Sequence, residues 1–160
     1  MSSSEQRFER PHVLIVTDDE DLRDFLSEGL VIAGFWTSTV ASALQTLEVF
    51  RLRTFDLAIV DLALGGMSAT ELIERLRSET TDSARSEVRT DIPLLALADD
   101  PELPEVAEAL RAGADDVLFP PLELEDLASR LHSVVRQWRS AHPDRPYADE
   151  LAQSSDGLAD

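Results

Sequence analysis

Five short apolar runs, each followed by a stretch with helical spacing, leave this chain very few folds to adopt. The runs are His12 to Thr17 (HVLIVT), Phe35 to Val40, Asp56 to Asp61 (DLAIVD), Ile92 to Ala98 and Asp115 to Phe119. Most are too continuously apolar for a strand with one wet face, which would alternate, so they read as strands buried on both sides. Between them, apolar residues recur at helical spacing. Leu22, Phe25, Leu26, Leu30 and Ala33 precede a stop at Gly34. Ala43, Leu44, Leu47 and Phe50 follow a capping Ser42, and Leu72, Ile73 and Leu76 follow Ser68 or Thr70. A fourth helix is expected from about Glu102 to Ala112, ending at Gly113. The last runs from Leu122 to about Arg139, with Leu124, Leu127, Leu131, Val134 and Val135 inward. Parallel pairing needs a crossover and a helix supplies it, so five strands alternating with five helices predict a parallel sheet covered on both faces. Right-handed crossovers narrow this to a doubly wound α/β sheet of strand order 2-1-3-4-5, the flavodoxin-like arrangement.

At 160 residues and 43% hydrophobic content, the chain suits one domain with a sizeable core and is short for two. Residues 1–11 read as a flexible arm, 12–140 as the domain and 141–160 as a disordered acidic tail. Ser78 to Asp91 is almost wholly polar and reads as an exposed, mobile loop. No apolar run approaches the roughly 18 residues that cross a bilayer. The first ten residues lack the apolar stretch of a secretory signal. With no cysteine there is no disulfide framework and no thiolate metal site. The 32 acidic residues outnumber the 14 basic ones, all Arg, for a formal charge of −18. That field repels phosphate backbones and anionic lipid, so neither direct nucleic-acid binding nor membrane insertion is expected of it. A soluble cytoplasmic domain is the expectation. His12, His132 and His142 have no metal-ligand spacing and read as surface or edge residues; Trp36 and Trp138 read as core margin.

The functional signal is acidic. Ligands of a doubly wound sheet sit beyond the carboxyl ends of its strands. Strand 1 runs into Asp18 and Asp19, and strand 3 ends on Asp61. These strands are neighbours in the expected order, so the three carboxylates should converge. Their mutual repulsion favours a bound cation, and hard oxygen donors without His or Cys favour Mg²⁺. A carboxylate beside a metal can attack phosphorus. Helix capping is the competing explanation for Asp18 or Asp19, since Asp after a strand is a common cap.

Four segments carry a family resemblance: LIVTDDEDLRDFL (Leu14 to Leu26), FDLAIVDLALGGMSATELIERLR (Phe55 to Arg77), IPLLALAD (Ile92 to Asp99) and ALRAGADDVLFPPLELEDLASRL (Ala109 to Leu131). In this order and spacing, the chain from about His12 to Arg139 resembles the receiver domains of two-component response regulators. The resemblance implies that Asp61 is the phosphoacceptor, that Asp18 and Asp19 are the metal-binding acid pair, and that the Ala63 backbone carbonyl faces Mg²⁺. It further implies a histidine kinase or phosphotransfer protein as donor, a protein output partner, and a homodimer through the face from helix 4 to helix 5.

The chain departs from that pattern at its switch. The Ser/Thr position ending strand 4 is Ala98, the Lys position after strand 5 is Pro120, and the aromatic switch position is Val117. After Asp61, Gly65 stands where the family has Pro, and Ser68-Ala69 where it has Asp-Gly. A phosphoryl group brings about −1.5 to −2 charge and three acceptor oxygens. Removing one charge-assisted hydrogen bond to it costs roughly 1.5–3 kcal/mol. Asp99 and Asp100 add negative charge beside the pocket. The expectation is a degenerate, stand-alone receiver-like protein, not an enzyme, that accepts phosphate at Asp61 with Mg²⁺ and acts through protein contacts. The alternatives are a phosphorylation-independent pseudo-receiver serving as a constitutive interaction module, and a small Mg²⁺-dependent phosphohydrolase. The hydrolase needs a general acid two residues after Asp61, where this chain has Ala63.

Overall fold

In the computed structural model, which describes residues 10–82 and 91–144, the five apolar runs form one parallel sheet. Its strands are β1 (His12–Val16), β2 (Trp36–Val40), β3 (Leu57–Asp61), β4 (Leu94–Leu97) and β5 (Asp116–Leu118). The helices between and after them are α1 (Glu20–Ile32), α2 (Ala43–Leu52), α3 (Ala69–Asp82), α4 (Pro104–Ala112) and α5 (Leu124–Ala141). The strand order is β2-β1-β3-β4-β5, as the crossover argument requires.

β1, β3 and β4 are buried along their whole length because helices cover both faces of the sheet. Successive side chains alternate between two cores. Leu14, Val16, Ala58, Val60 and Ala96 pack with Leu47 and Phe50 of α2 and with Leu72, Ile73 and Leu76 of α3. Val13, Ile15, Leu57, Ile59 and Leu95 pack with Leu26 and Leu30 of α1 and with Leu127 and Leu131 of α5. Each fully buried Leu, Ile, Val or Phe among them contributes roughly 1.5–3 kcal/mol of transfer free energy. Gly29 lets α5 pack tightly on α1, since a Cβ there would lie 2.4 Å from Leu124 Cδ1. Among the described residues, no helix is long and apolar enough to cross a membrane.

Several expectations are corrected. Phe25 and Leu44, counted among the apolar residues at helical spacing, are 42% and 64% exposed. Each lies about 100° round its helix from the neighbouring buried residue, Leu26 or Ala43, and so falls outside the inward stripe. The buried Thr46 fills the α2 stripe instead, donating its hydroxyl to the Ser42 carbonyl at 2.9 Å. Val134 and Leu124 are only half-buried. The segment expected as a loop from Ser78 begins as helix, because α3 continues to Asp82. Propagating a helix gains a backbone hydrogen bond per residue without needing an apolar face. Residues 83–90 of that loop lie outside the described residues, as do 1–9 of the arm and 145–160 of the tail. Arg10 and Pro11 are packed: Arg10 lies over the Trp36 ring at 4.4 Å, and the Pro11 carbonyl accepts the Trp36 N–H.

His12 is buried, not at the surface, because β1 lies inside the sheet. Its N–H donates to Asp56 Oδ2 at 2.8 Å, and its Nε2 lies 2.7 Å from Ser38 Oγ. His132 stacks on Phe35 and bonds to the Ala33 carbonyl at 3.0 Å.

Gly113 ends α4 with φ of 128°, in the left-handed region that favours glycine. The Arg77 guanidinium is folded over it, donating to the Gly113 carbonyl at 2.8 Å and the Ile92 carbonyl at 2.7 Å. A Cβ at position 113 would lie 2.7 Å from Arg77 Cγ. Gly113→Ala is therefore expected to lower unfolding free energy by about 1–3 kcal/mol, read from the urea midpoint. A variant within about 0.5 kcal/mol of the parent contradicts this account of the turn.

Candidate functional site

Val16 pairs with Val60 in the β1–β3 register, so the residue after Val16 comes level with Asp61. That residue is Thr17. Its hydroxyl donates to Asp61 Oδ2 at 2.7 Å, while the Ala63 N–H donates to Asp61 Oδ1 at 3.0 Å. Asp61 is 8% exposed and Thr17 only 1%. Buried polar groups of this kind are costly unless hydrogen-bonded, and both oxygens of the carboxylate are satisfied. Thr17 Oγ1 also accepts the Asp19 N–H at 3.1 Å.

The other two acids reach the same place from the loop after β1. Asp19 is the N-cap of α1, its Oδ1 accepting the Leu22 N–H at 3.1 Å. Negative charge at a helix N-terminus is favoured by the dipole as well as by the hydrogen bond. Asp18 Oδ2 accepts the Gly65 N–H at 3.1 Å and so ties the loop after β1 to the loop after β3. Asp18, Asp19 and Asp61 line one open cavity of about 270 Å³, together with Ala63, Ala98 and Pro120. A hollow of about 230 Å³ adjoins it on the α4 side and shares Asp61, Ala98 and Asp99 with it.

The three carboxylates thus share one rim, as the strand order predicts, but they converge more loosely than expected. Among the described residues, no three acidic or imidazole side chains are gathered tightly enough to hold a metal ion as they stand. The reason is local competition: each carboxylate is turned to a donor of its own, as Leu22, Gly65, Thr17 and Ala63 show. The donor chemistry, hard carboxylate oxygens around a solvent-open cavity, suits Mg²⁺, which keeps several of its waters. Asp18 and Asp19 would hold such an ion with Asp61, and it would supply positive charge against a developing phosphoryl anion.

Apart from Asp99, the opposite side of the cavity offers no polar side chain. Ala98 is buried, with its N–H bonded to the Leu118 carbonyl at 3.0 Å, and it offers only a methyl group. Val117 is 7% exposed and belongs to the core beneath the α4 side of the sheet. Pro120 forms an exposed part of the rim. Among the described residues lining either hollow, none is cationic. Asp99 lines both hollows, whereas Asp100 is turned to the Glu102 N–H at 2.9 Å. Thr17 is the residue contacting Asp61 that sequence reasoning missed. As a β-branched residue it reads simply as strand, although its place one residue before Asp18, level with the end of strand 3, was the available signal.

Comparison with known proteins identifies the family and the fold. The profile of the response regulator receiver domain matches residues 13–132. The transcriptional regulatory protein CseB of Streptomyces avermitilis is 29% identical over 149 residues, covering 93% of this chain and 59% of that protein. The phosphate regulon transcriptional regulatory protein PhoB of Pseudomonas aeruginosa is 31% identical over 125 residues, covering 78% of this chain and 52% of its own. The chain thus spans a little over half the length of these relatives. Among solved structures, a CheY-like receiver domain protein from Methanospirillum hungatei superposes with a TM-score of 0.72 at 23% identity, over 82% of this chain and 98% of the other. That likeness shows the fold.

The capping role of Asp19 yields a stability test. Asp19→Ala is expected to cost about 1 kcal/mol by urea unfolding, and Asp19→Asn much less, because Asn caps as well as Asp. Equal losses in both variants would mean that charge, not the cap hydrogen bond, is what the fold uses at this position.

Proposed function

The chain belongs to the response regulator receiver domain family, a module of two-component signal transduction, and on that footing we propose that it accepts a phosphoryl group at Asp61 and passes the change to a protein partner. The observation that carries this reading is Asp61 itself. It is the last residue of β3, buried but open to the cavity through its carboxylate, with Asp18 and Asp19 on the same rim. A carboxylate oxygen so placed attacks the phosphorus of a phosphohistidine; the new O–P bond forms as the P–N bond breaks, the electron pair goes to that nitrogen, and the ring, already protonated on its other nitrogen, leaves as neutral imidazole. A histidine kinase or phosphotransfer protein is the donor of that chemistry. Mg²⁺ held by Asp18, Asp19 and the Ala63 carbonyl would offset the added charge.

The β4–β5 side of the cavity limits how the chain can respond to that charge. With neither a hydroxyl at position 98 nor a cation at 120, this chain lacks two of the groups that would hold the phosphoryl oxygens. A ligand shifts a two-state equilibrium only through differential contacts, so the β4–β5 side has little with which to respond. Output is carried instead by protein contacts of the receiver surface on the β1 and β3 flank, a second copy of the chain being one such partner. The charge of −18 disfavours direct nucleic-acid binding by this part of the molecule, although its relatives are named as transcriptional regulators. Ala63 supplies no general acid, which argues against a phosphohydrolase.

Incubation with a small acyl phosphate and Mg²⁺, read by intact mass, tests the proposal. The parent is expected to gain one phosphoryl group, Asp61→Ala none, and a chelator should abolish the gain. A parent that stays unmodified while still binding its partner would instead support a constitutive interaction module.

A further inference from the structure

The sequence pattern places the family's hydroxyl at the end of strand 4, where this chain has Ala98; the structure supplies one from the other flank of Asp61. We propose that Thr17 is a positioning residue for phosphoryl exchange at Asp61, and that its hydroxyl shortens the lifetime of the aspartyl phosphate. The inference rests on Asp61 being the acceptor and adds what governs the persistence of the phosphoryl group there.

The geometry fixes the direction of the hydrogen bond. Asp61 offers no hydrogen as a carboxylate, and one lone pair of Thr17 Oγ1 is occupied by the Asp19 N–H at 3.1 Å. The hydroxyl hydrogen therefore points at Asp61 Oδ2, 2.7 Å away. Thr17 is 1% exposed, so its own hydroxyl is shielded from water that would compete for this bond. A second donor, the Ala63 N–H, holds Oδ1. Each oxygen of the carboxylate thus has a fixed donor of its own.

Phosphorylation changes what Thr17 sees. One Asp61 oxygen becomes the bridging oxygen of an acyl phosphate, a poor acceptor, and the other becomes a neutral carbonyl. Whichever oxygen attacks, the bond from Thr17 passes from a charged acceptor to a weaker one. Hydrolysis reverses this: water forms a new O–P bond, the bond from phosphorus to the Asp61 oxygen breaks, and the electron pair returns to the carboxylate. Phosphate departs with the proton that water loses. A donor that bonds more strongly to the leaving carboxylate than to the acyl phosphate accelerates that step. Hydrogen bonds to charged acceptors are roughly twice as strong as neutral ones, so losing the hydroxyl should prolong the modified state on the order of five- to tenfold.

The test loads the parent, Thr17→Val and Thr17→Ser with a small acyl phosphate and Mg²⁺, removes the donor, and follows phosphoryl loss by intact mass. Thr17→Val keeps the shape and deletes the hydroxyl, and is expected to lose the group about five- to tenfold more slowly. Thr17→Ser keeps the hydroxyl and should stay within about twofold of the parent, which a purely structural role for the side chain would not secure. Thr17→Ala repeats the deletion with a smaller side chain and should follow Thr17→Val, so the proposal stays testable if the valine variant fails to fold. A hydroxyl-deleted variant as fast as the parent, or a serine variant as slow as valine, overturns the proposal and leaves Asp61 as acceptor. A parent that takes no phosphoryl group overturns both.

Discussion

The level pairing of β1 with β3 is the constraint on which the rest of this molecule depends. Val16 lies beside Val60 on neighbouring buried strands, so both strands deliver their next residues to the same rim. The register is strongly specified, because both faces of these strands are buried and a slip by one residue would exchange the two cores. The carboxylate of Asp61 is thereby placed in a buried position that ordinary strand packing would give to an apolar side chain. It is tolerated there because Thr17 and the backbone of Ala63 satisfy both of its oxygens.

The site is consequently lopsided. On the β1 and β3 flank, the Thr17 hydroxyl and the Leu22, Ala63 and Gly65 N–H groups are all donors aimed at carboxylates. On the β4 and β5 flank, Ala98 and Pro120 present carbon to the cavity beside Asp99, and Val117 lies in the core below. A charge arriving at Asp61 therefore interacts most directly with the first turn of α1 and the loop before α3. The resemblance alone would direct attention to the other flank, where the family's switch residues lie.

Much of the fold was legible in the sequence, because a strand buried on both faces advertises itself as a continuous apolar run, and Asp18, Asp19 and Asp61 stand where such runs stop. The blanks at 98, 117 and 120 were legible for the same reason, since they are read by alignment to strand ends. What stayed hidden depends on three-dimensional register or on close local competition. Thr17 looks like strand until β3 is placed beside it. The turning of Asp18 and Asp19 to backbone N–H groups is a balance between nearby donors that spacing does not encode. Phe25 and Leu44 fit a generous helical period, and only the width of the buried stripe excludes them.

The most direct measurement is amide resonance mapping of the folded chain with Mg²⁺ and beryllofluoride, which mimics an aspartyl phosphate. The structure predicts large shifts at Asp19, Ala63 and Gly65, whose N–H groups serve Asp61, its Thr17 donor or Asp18, and little change at Val117 or along α4. Shifts concentrated at Val117 and α4, with the loops after β1 and β3 undisturbed, would contradict it.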